Sequence, residues 1–322
     1  MALHAGTESL IAPMAIFPSA TIGAFSPSDA LTDERRSRVI SGADVLVRAG
    51  FNVRFAPNAF QISPNITSKI RGRDTDIYDL LNDTETHCLI ATHGGKSCID
   101  MVSAHLDYSF IRKQRKPIIG FSDVCIILNL IATKSGLISF YVPNVLSKID
   151  QSHWSDLRSL NVSSPDFGCS SFFKNTLNYC NVRSGSSMGY LFGGNLECFA
   201  NGLLLSKANY ETPNPGIFIW ESSGITAGAA YQILSALRLS GFLDNVSGMI
   251  IGDSFRDPIE SLSTCFDLVV RACEGTNFPI LFMPGFGHSS VTENPIIPLG
   301  ARAHIDSTTG LIEVLDQYVF AG

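Results

Sequence analysis

The sequence predicts an α/β protein of two domains, and three observations predict it. A chain of 322 residues with 45% hydrophobic content can bury two cores. From the start to about residue 145, short β-rich runs alternate with longer helical ones, the pattern of a parallel sheet covered by helices. Residues 146–182 are polar and irregular, with no clean period, and beyond them strands and helices resume and close on a hairpin. The expected division is an α/β domain over 1–145, a linker with functional loop character over 146–182, and a smaller mixed α/β domain over 183–322.

Each element follows from its local pattern. Residues 20–25 (ATIGAF) form a β-rich run that ends in the loop Ser26-Pro-Ser-Asp29. Apolar residues at helical spacing from Arg35 to Ala49 stop at Gly50, and residues 51–55 (FNVRF) read as the next strand. Tyr78 to Leu81 belong to a helix, residues 87–92 (HCLIAT) to a strand, and Ile99 to Phe110 to a helix. The run Lys116-Pro-Ile-Ile-Gly-Phe-Ser-Asp123 is an apolar strand that turns directly into an apolar helix. In the second region Gly189 to Asn195 opens the domain. Gly216 to Trp220 and Val246 to Ile251 are strands, with a helix from Ala227 to Leu239 between them. Ala301 to Asp306 and Leu311 to Leu315 alternate across a Ser-Thr-Thr-Gly turn as a terminal hairpin.

Charge and composition exclude several functions. A net charge of -6 gives no general attraction to nucleic acid or to an anionic membrane. The one basic run, Arg112 to Lys116, suits a solvated helix end. No apolar run approaches the roughly 20 residues of a membrane span, and Ile11 to Phe17 lacks the preceding basic residues of a signal peptide. The eight cysteines form no Cys-x-x-Cys pair and several sit inside apolar runs, which fits a reducing, cytoplasmic compartment. No metal-ligand spacing appears, so neither a catalytic metal nor another cofactor is expected.

The candidate chemistry lies at strand ends. Ser122 sits where a strand meets a helix, a corner that lifts a hydroxyl out of the sheet and surrounds it with helix N–H groups; the same residue also reads as a plain N-cap. His93-Gly94-Gly95 follows a strand, and paired glycines there let a backbone N–H approach an oxyanion with no side chain in the way. His93 reads either as a hydrogen-bonded structural residue or as a base. Gly95-Lys96-Ser97 is no phosphate loop, because the position five residues before Gly95 is Ile90. Glu221 ends a strand of the second domain, and His288 follows two glycines in the Gly-rich loop Pro284-Gly-Phe-Gly-His-Ser-Ser290. A serine hydroxyl needs a base to take its proton and the base needs a carboxylate to orient it, so Ser122, His288 and Glu221 are a chemically complete set.

Several ordered motifs together resemble one family. His93-Gly-Gly-Lys-Ser97, Pro117-Ile-Ile-Gly-Phe-Ser-Asp123, Gly193-Gly-Asn-Leu196, Phe218-Ile-Trp-Glu221, and Gly287-His288 with Pro298-Leu-Gly300 are similar to the LD-carboxypeptidase family of serine peptidases (S66). Leu106-Asp-Tyr and Ser139-Phe-Tyr-Val-Pro143 place the resemblance nearest its microcin C self-immunity branch. That resemblance implies a flavodoxin-like N-terminal domain carrying the nucleophile Ser122 and a C-terminal domain supplying Glu221 and His288. It also implies an oxyanion hole from the N–H groups of Asp123 and of the Gly94-Gly95 turn, a substrate contact by Asn195, no cofactor, and a homodimer. The implied substrate is a small peptide cut near a free carboxyl end, as in murein, or an aminoacyl or peptidyl nucleotide. Trp154 in the linker either stacks on a nucleobase or packs the linker down.

Two features depart from the family pattern: Ser222 stands where Asp commonly follows the triad Glu, and the run from His288 to Pro298 is longer than usual. Two other functions use parts of the same evidence. An α/β-hydrolase-type esterase shares the His-Gly-Gly motif but wants Gly at the position of Val124. A non-catalytic peptide- or nucleotide-binding protein of the same fold would account for Ser222 and the long His288 loop.

Overall fold

The computed structural model describes residues 10–61, 72–103, 106–142, 146, 149, 160, 179–205, 212–256, 261–288 and 295–321. The chain divides into two compact units. One is built from residues 7–169 with 296–300 and 317–322, the other chiefly from residues 170–295 and 301–316.

In the first unit the strands are β1 (Thr21–Phe25), β2 (Asn52–Phe55), β3 (Thr86–Ala91), β4 (Ile118–Gly120) and β5 (Ser139–Tyr141). The helices are α1 (Asp33–Arg48), α2 (Arg73–Asn82), α3 (Tyr108–Gln114) and α4 (Cys125–Ser135). Strands β2, β1, β3, β4 and β5 lie side by side and parallel, in the order 2-1-3-4-5 of a flavodoxin-like sheet. Local chemistry sets the boundaries. Thr32 caps α1 by accepting from the N–H of Arg35, with Asp33 and Glu34 in the first turn and Arg48 in the last, matching the helix dipole at both ends. Nearly every side chain of α4 is buried, and the helix stops at Gly136 in the left-handed conformation.

Two expectations are corrected here. The single helix expected from Ile99 to Phe110 is a 3₁₀ turn over Cys98–Ser103 followed by α3, because Asp107 caps a new helix by accepting from the N–H of Phe110. The sheet also gains a sixth strand among the described residues, β11 (Ile297–Leu299), which returns late in the sequence to pair antiparallel with β5.

The second unit has β6 (Cys180–Arg183), β7 (Ser186–Asn195), β8 (Gly216–Glu221), β9 (Val246–Asp253), β10 (Ile280–Gly287), β12 (Arg302–Asp306) and β13 (Leu311–Val314). Helices α5 (Leu196–Leu205), α6 (Ala227–Leu239) and α7 (Leu262–Ala272) connect the central strands. Among the described residues these strands form one sheet in the order β13-β12-β7-β8-β9-β10-β6. Its centre, β7 to β10, is parallel, and its flanks, β6 and the β12–β13 hairpin, are antiparallel. Every residue of β8 is buried, as expected of a strand covered on both faces. Phe192, Phe199, Phe218 and Phe242 meet in one aromatic cluster with ring centroids 5.4–6.0 Å apart. Burying each such ring stabilises the fold by about 1.5–3 kcal/mol. A strand at Cys180–Arg183 was not expected, because its polar sequence resembles the preceding linker; it is held by pairing with β10.

Candidate active site

The carboxyl ends of β1, β3 and β4 carry the polar residues of the first unit. Strand β4 ends at Gly120, and Ser122 follows with φ 61°, one of the few non-glycine residues in the left-handed region. That conformation costs roughly 1–2 kcal/mol for a residue with a Cβ, and three features hold it. A Cβ on Gly120 would overlap Val124, so the missing side chain lets the helix turn back tightly on the strand. The N–H of Ser122 donates to Tyr141 Oη at 3.2 Å. A Cβ on Gly94 would lie 2.6 Å from Ser122 Cβ, so glycine is required where the β3 loop passes the serine. In this corner Gly120 makes room for Val124, which is how the chain does without a second glycine after the serine.

Asp123 follows Ser122 and is buried. Its Oδ1 accepts from the N–H of Gly95 at 2.7 Å; its Oδ2 accepts from the N–H of Cys98 at 3.1 Å and from the hydroxyl of Ser28. Burial raises its pKa, the three hydrogen bonds pull the other way, and the charge of Asp29 raises it further. Asp29, also buried, accepts from the N–H groups of Lys96 at 3.2 Å and Ser97 at 3.1 Å. The buried guanidinium of Arg73 donates to the carbonyls of Pro27 and Ser97, both at 2.9 Å. The loops after β1 and β3 are thus tied together beside the serine.

Of the two glycines expected to serve an oxyanion, Gly95 spends its N–H on Asp123, so Gly94 remains the candidate donor together with the N–H of Asp123. His93 is buried against Thr92 Oγ1, 2.9 Å from Nδ1, and burial, then the charge of Arg35, push its pKa down to about 4. Neutral near pH 7 and held by Thr92, it has the surroundings of the hydrogen-bonded structural alternative.

In the second unit Glu221 ends β8 and His288 follows β10. Glu221 is fully buried, and its Oε2 lies 2.6 Å from His288 Nδ1 while accepting the His288 backbone N–H at 3.0 Å. A carboxylate on Nδ1 fixes the imidazole so that Nε2 is its basic nitrogen. Gly287, with φ 129°, permits this approach: a Cβ there would come within 3.1 Å of Glu221 Oε2 and 2.8 Å of the Asp253 carbonyl. Asp253 stands nearby, and its pKa is raised by burial and by the charge of Glu221, with the N–H of Gly285 opposing.

Asn195 is buried with its amide 3.4 Å from Glu221 Oε1, and its Oδ1 accepts from the N–H of Cys198 at 3.2 Å. It therefore braces Glu221 and the start of α5, a role beyond the substrate contact expected of it. Ser222 does not touch that brace through the bonds it makes: its hydroxyl donates to Glu197 Oε1 at 2.8 Å and accepts from the N–H of Gly224 at 3.2 Å. The departure from the family pattern is absorbed by a local pair. Trp154, most of the 146–182 linker and residues 289–294 of the His288 loop lie outside the described residues. Among the described residues no cluster of His, Cys, Asp and Glu gathers to hold a metal ion, and no helix is long and apolar enough to cross a membrane.

The sequence matches the LD-carboxypeptidase N-terminal domain over residues 22–142 and the LD-carboxypeptidase C-terminal domain over residues 188–305. It is 26% identical to the microcin C7 self-immunity protein MccF of Escherichia coli, with 96% of each chain covered. It is 25% identical to a Bacillus subtilis protein named a probable murein peptide carboxypeptidase, over 75% of this chain and 76% of that one. The structure of MccF in complex with glutamyl sulfamoyl guanosine superposes with a TM-score of 0.79 at 23% identity, covering 96% of this chain and 100% of that one.

Proposed function

The chain belongs to the LD-carboxypeptidase family of peptidases, and from that premise we propose that Ser122, His288 and Glu221 form its catalytic triad. The observation that carries the reading is the left-handed Ser122 at a strand-to-helix corner, a strained geometry that an N-cap alone does not need. Ser122 Oγ attacks the scissile carbonyl and gives its proton to His288 Nε2. Glu221 orients the imidazole and stabilises its charged form. The N–H groups of Asp123 and Gly94 receive the oxyanion, and His288 returns the proton to the leaving amine. Water then repeats the cycle on the acyl-enzyme.

We infer that the substrate is an aminoacyl or peptidyl nucleotide, cleaved at the amide beside the acyl group. The support is the near-complete coverage of MccF, whose structure has been solved with a glutamyl sulfamoyl guanosine. Trp154 would stack on the nucleobase, a contact worth ~1–3 kcal/mol. A murein peptide is the second reading, favoured by the Bacillus relative. The burial of Cys88, Cys98, Cys125, Cys265 and Cys273 as small hydrophobes, with no Cys-x-x-Cys pair in the chain, supports a cytoplasmic setting. The family resemblance supports a homodimer, which sedimentation at micromolar concentration checks.

One turnover panel tests the substrate: an aminoacyl sulfamoyl adenylate, a murein L,D-tetrapeptide and a simple ester. The first should be cleaved fastest, and Trp154→Ala should raise its KM about tenfold while leaving the tetrapeptide nearly unchanged. Faster turnover of the tetrapeptide would move the assignment to murein, and of the ester to an esterase. Full turnover by Ser122→Ala would overturn the mechanism.

A further inference from the structure

We propose that the side-chain carboxylate of Asp123 is a positioning residue for the reaction: it locks the Gly94–Gly95 turn onto the Ser122 corner, so that both oxyanion donors are in place before substrate arrives. The proposal rests on the reading of Ser122 as nucleophile. It goes beyond that reading by giving the Asp123 side chain work separate from its backbone N–H.

The geometry closes a small ring. Asp123 Oδ1 accepts the N–H of Gly95 at 2.7 Å, while the preceding residue of that turn, Gly94, passes so near the preceding residue of the other, Ser122, that a Cβ would sit 2.6 Å from the Ser122 Cβ. Residues 94–95 and 122–123 are therefore clamped pair against pair. One member of each pair, Gly94 and Asp123, offers an N–H to the oxyanion, so the distance between the donors is set by the bond between Asp123 and Gly95. Oδ2 fastens the same carboxylate to two further segments, the loop after β1 through the Ser28 hydroxyl and the 3₁₀ turn through the N–H of Cys98 at 3.1 Å. Asp29 holds the far side of the turn at Lys96 and Ser97.

The site demands a carboxylate and not merely a polar residue. Three donors converge on two oxygens in a pocket where Asp123 is 1% exposed, so water does not replace a lost acceptor. An asparagine has one acceptor oxygen. Turned toward Gly95 it presents its NH₂ to the N–H of Cys98, and turned toward Cys98 it presents its NH₂ to the N–H of Gly95. Either way a donor faces a donor, and the turn moves away from the serine. Glutamate, one methylene longer, cannot keep both oxygens at these distances.

The rival explanation is that Asp123 only stabilises the start of a helix, where a negative charge is favourable. The two differ in kinetics. Asp123→Asn should lower kcat about 100-fold, the scale for loss of one oxyanion donor, with KM within about threefold of wild type. The rate at which a fluorophosphonate labels Ser122 should fall by a similar factor, since phosphonylation uses the same donors. Ser28→Ala, which leaves the Gly95 and Cys98 bonds, should lower both rates about threefold to tenfold, and Asp123→Glu should not rescue. A folded Asp123→Asn with kcat and labelling within threefold of wild type overturns the proposal, whatever its melting temperature. If Asp123→Asn does not fold, Ser28→Ala decides, and unchanged kcat and labelling there overturn it equally. Labelled wild type with an equally labelled Asp123→Asn sinks this inference alone. Unlabelled wild type, together with an active Ser122→Ala, sinks the nucleophile and this inference with it.

Discussion

The corner at Ser122 and the corner at His288 solve the same problem by different means. Both hold a side chain of the proposed triad just past the carboxyl end of a parallel strand. Ser122 is fixed through its backbone, in a left-handed conformation that glycines at 94 and 120 make room for and that Tyr141 supports. His288 is fixed through its side chain and N–H together, both on one buried carboxylate oxygen of Glu221. The difference follows from the groups. A hydroxyl on a single Cβ has one useful torsion, so placing the backbone places the oxygen. An imidazole has two torsions and two nitrogens, so its tautomer and tilt need a hydrogen-bond partner.

The largest effects test whether the two corners act as one machine. Ser122→Ala should reduce turnover about 10⁴-fold or more, and His288→Ala and Glu221→Gln nearly as far. The double variant Ser122→Ala with His288→Ala should be little worse than either, measured as kcat on a shared substrate. Additive losses would mean that the corners work separately. His93→Ala, by contrast, should keep most of the activity that folded protein has; a dead but well-folded His93→Ala would put the base at the wrong histidine.

Smaller effects separate backbone fixation from side-chain fixation. At the serine corner the strain belongs to the Cβ, so Ser122→Gly should be more stable than Ser122→Ala by about 1 kcal/mol in urea titration, with both inactive. Gly287→Ala should do the opposite at the histidine corner. Its Cβ meets the Asp253 carbonyl and Glu221 in a conformation alanine rarely adopts, costing about 1–3 kcal/mol together with most of kcat. An active Gly287→Ala of unchanged stability would show that the approach to Glu221 is looser than the structure implies.

A separate effect, on stability alone, concerns pH. His93 is neutral when folded, with a pKa near 4 against an unfolded value of 6.5. As pH falls from about 6.5 toward 4, the unfolded chain takes up a proton that the folded protein refuses, so stability is lost over that window and kept above it. The loss approaches about 3 kcal/mol at its lower end. In His93→Gln that component should vanish, leaving a flatter urea midpoint between pH 7 and pH 4.5. An unchanged slope would mean that His93 titrates freely.

Much of this was legible in the sequence, because the alternation of apolar runs marks β1, β3, β4, β8 and β9, and because glycines precede Ser122 and His288. The parts that were not legible depend on partners far apart in sequence. Nothing local to Asp123 says that its carboxylate meets residues 28, 95 and 98, and nothing local to Asn195 says that it braces Glu221. The break between the 3₁₀ turn and α3 was hidden because apolar spacing continues across it while Asp107 restarts the helix. Strand β11 was hidden because three residues with a proline in the middle carry no strand signal, and their pairing with β5 is a tertiary decision.

That short strand has a consequence for how the protein is made. Leu299 pairs with Ser139, Tyr318 packs its ring on Phe140, and Phe320 exchanges backbone hydrogen bonds with Pro13 and Ala15. The unit bearing Ser122 is therefore sealed by segments synthesised after nearly all of its companion. A ribosome that has released residues 1–160 has delivered the serine, its glycines and its clamp, yet leaves β5 as a bare sheet edge open to pairing with another nascent chain. An expression fragment cut in the linker would inherit that open edge, so the half bearing Ser122 is better obtained by leaving the late segments in place than by trimming to the first motif.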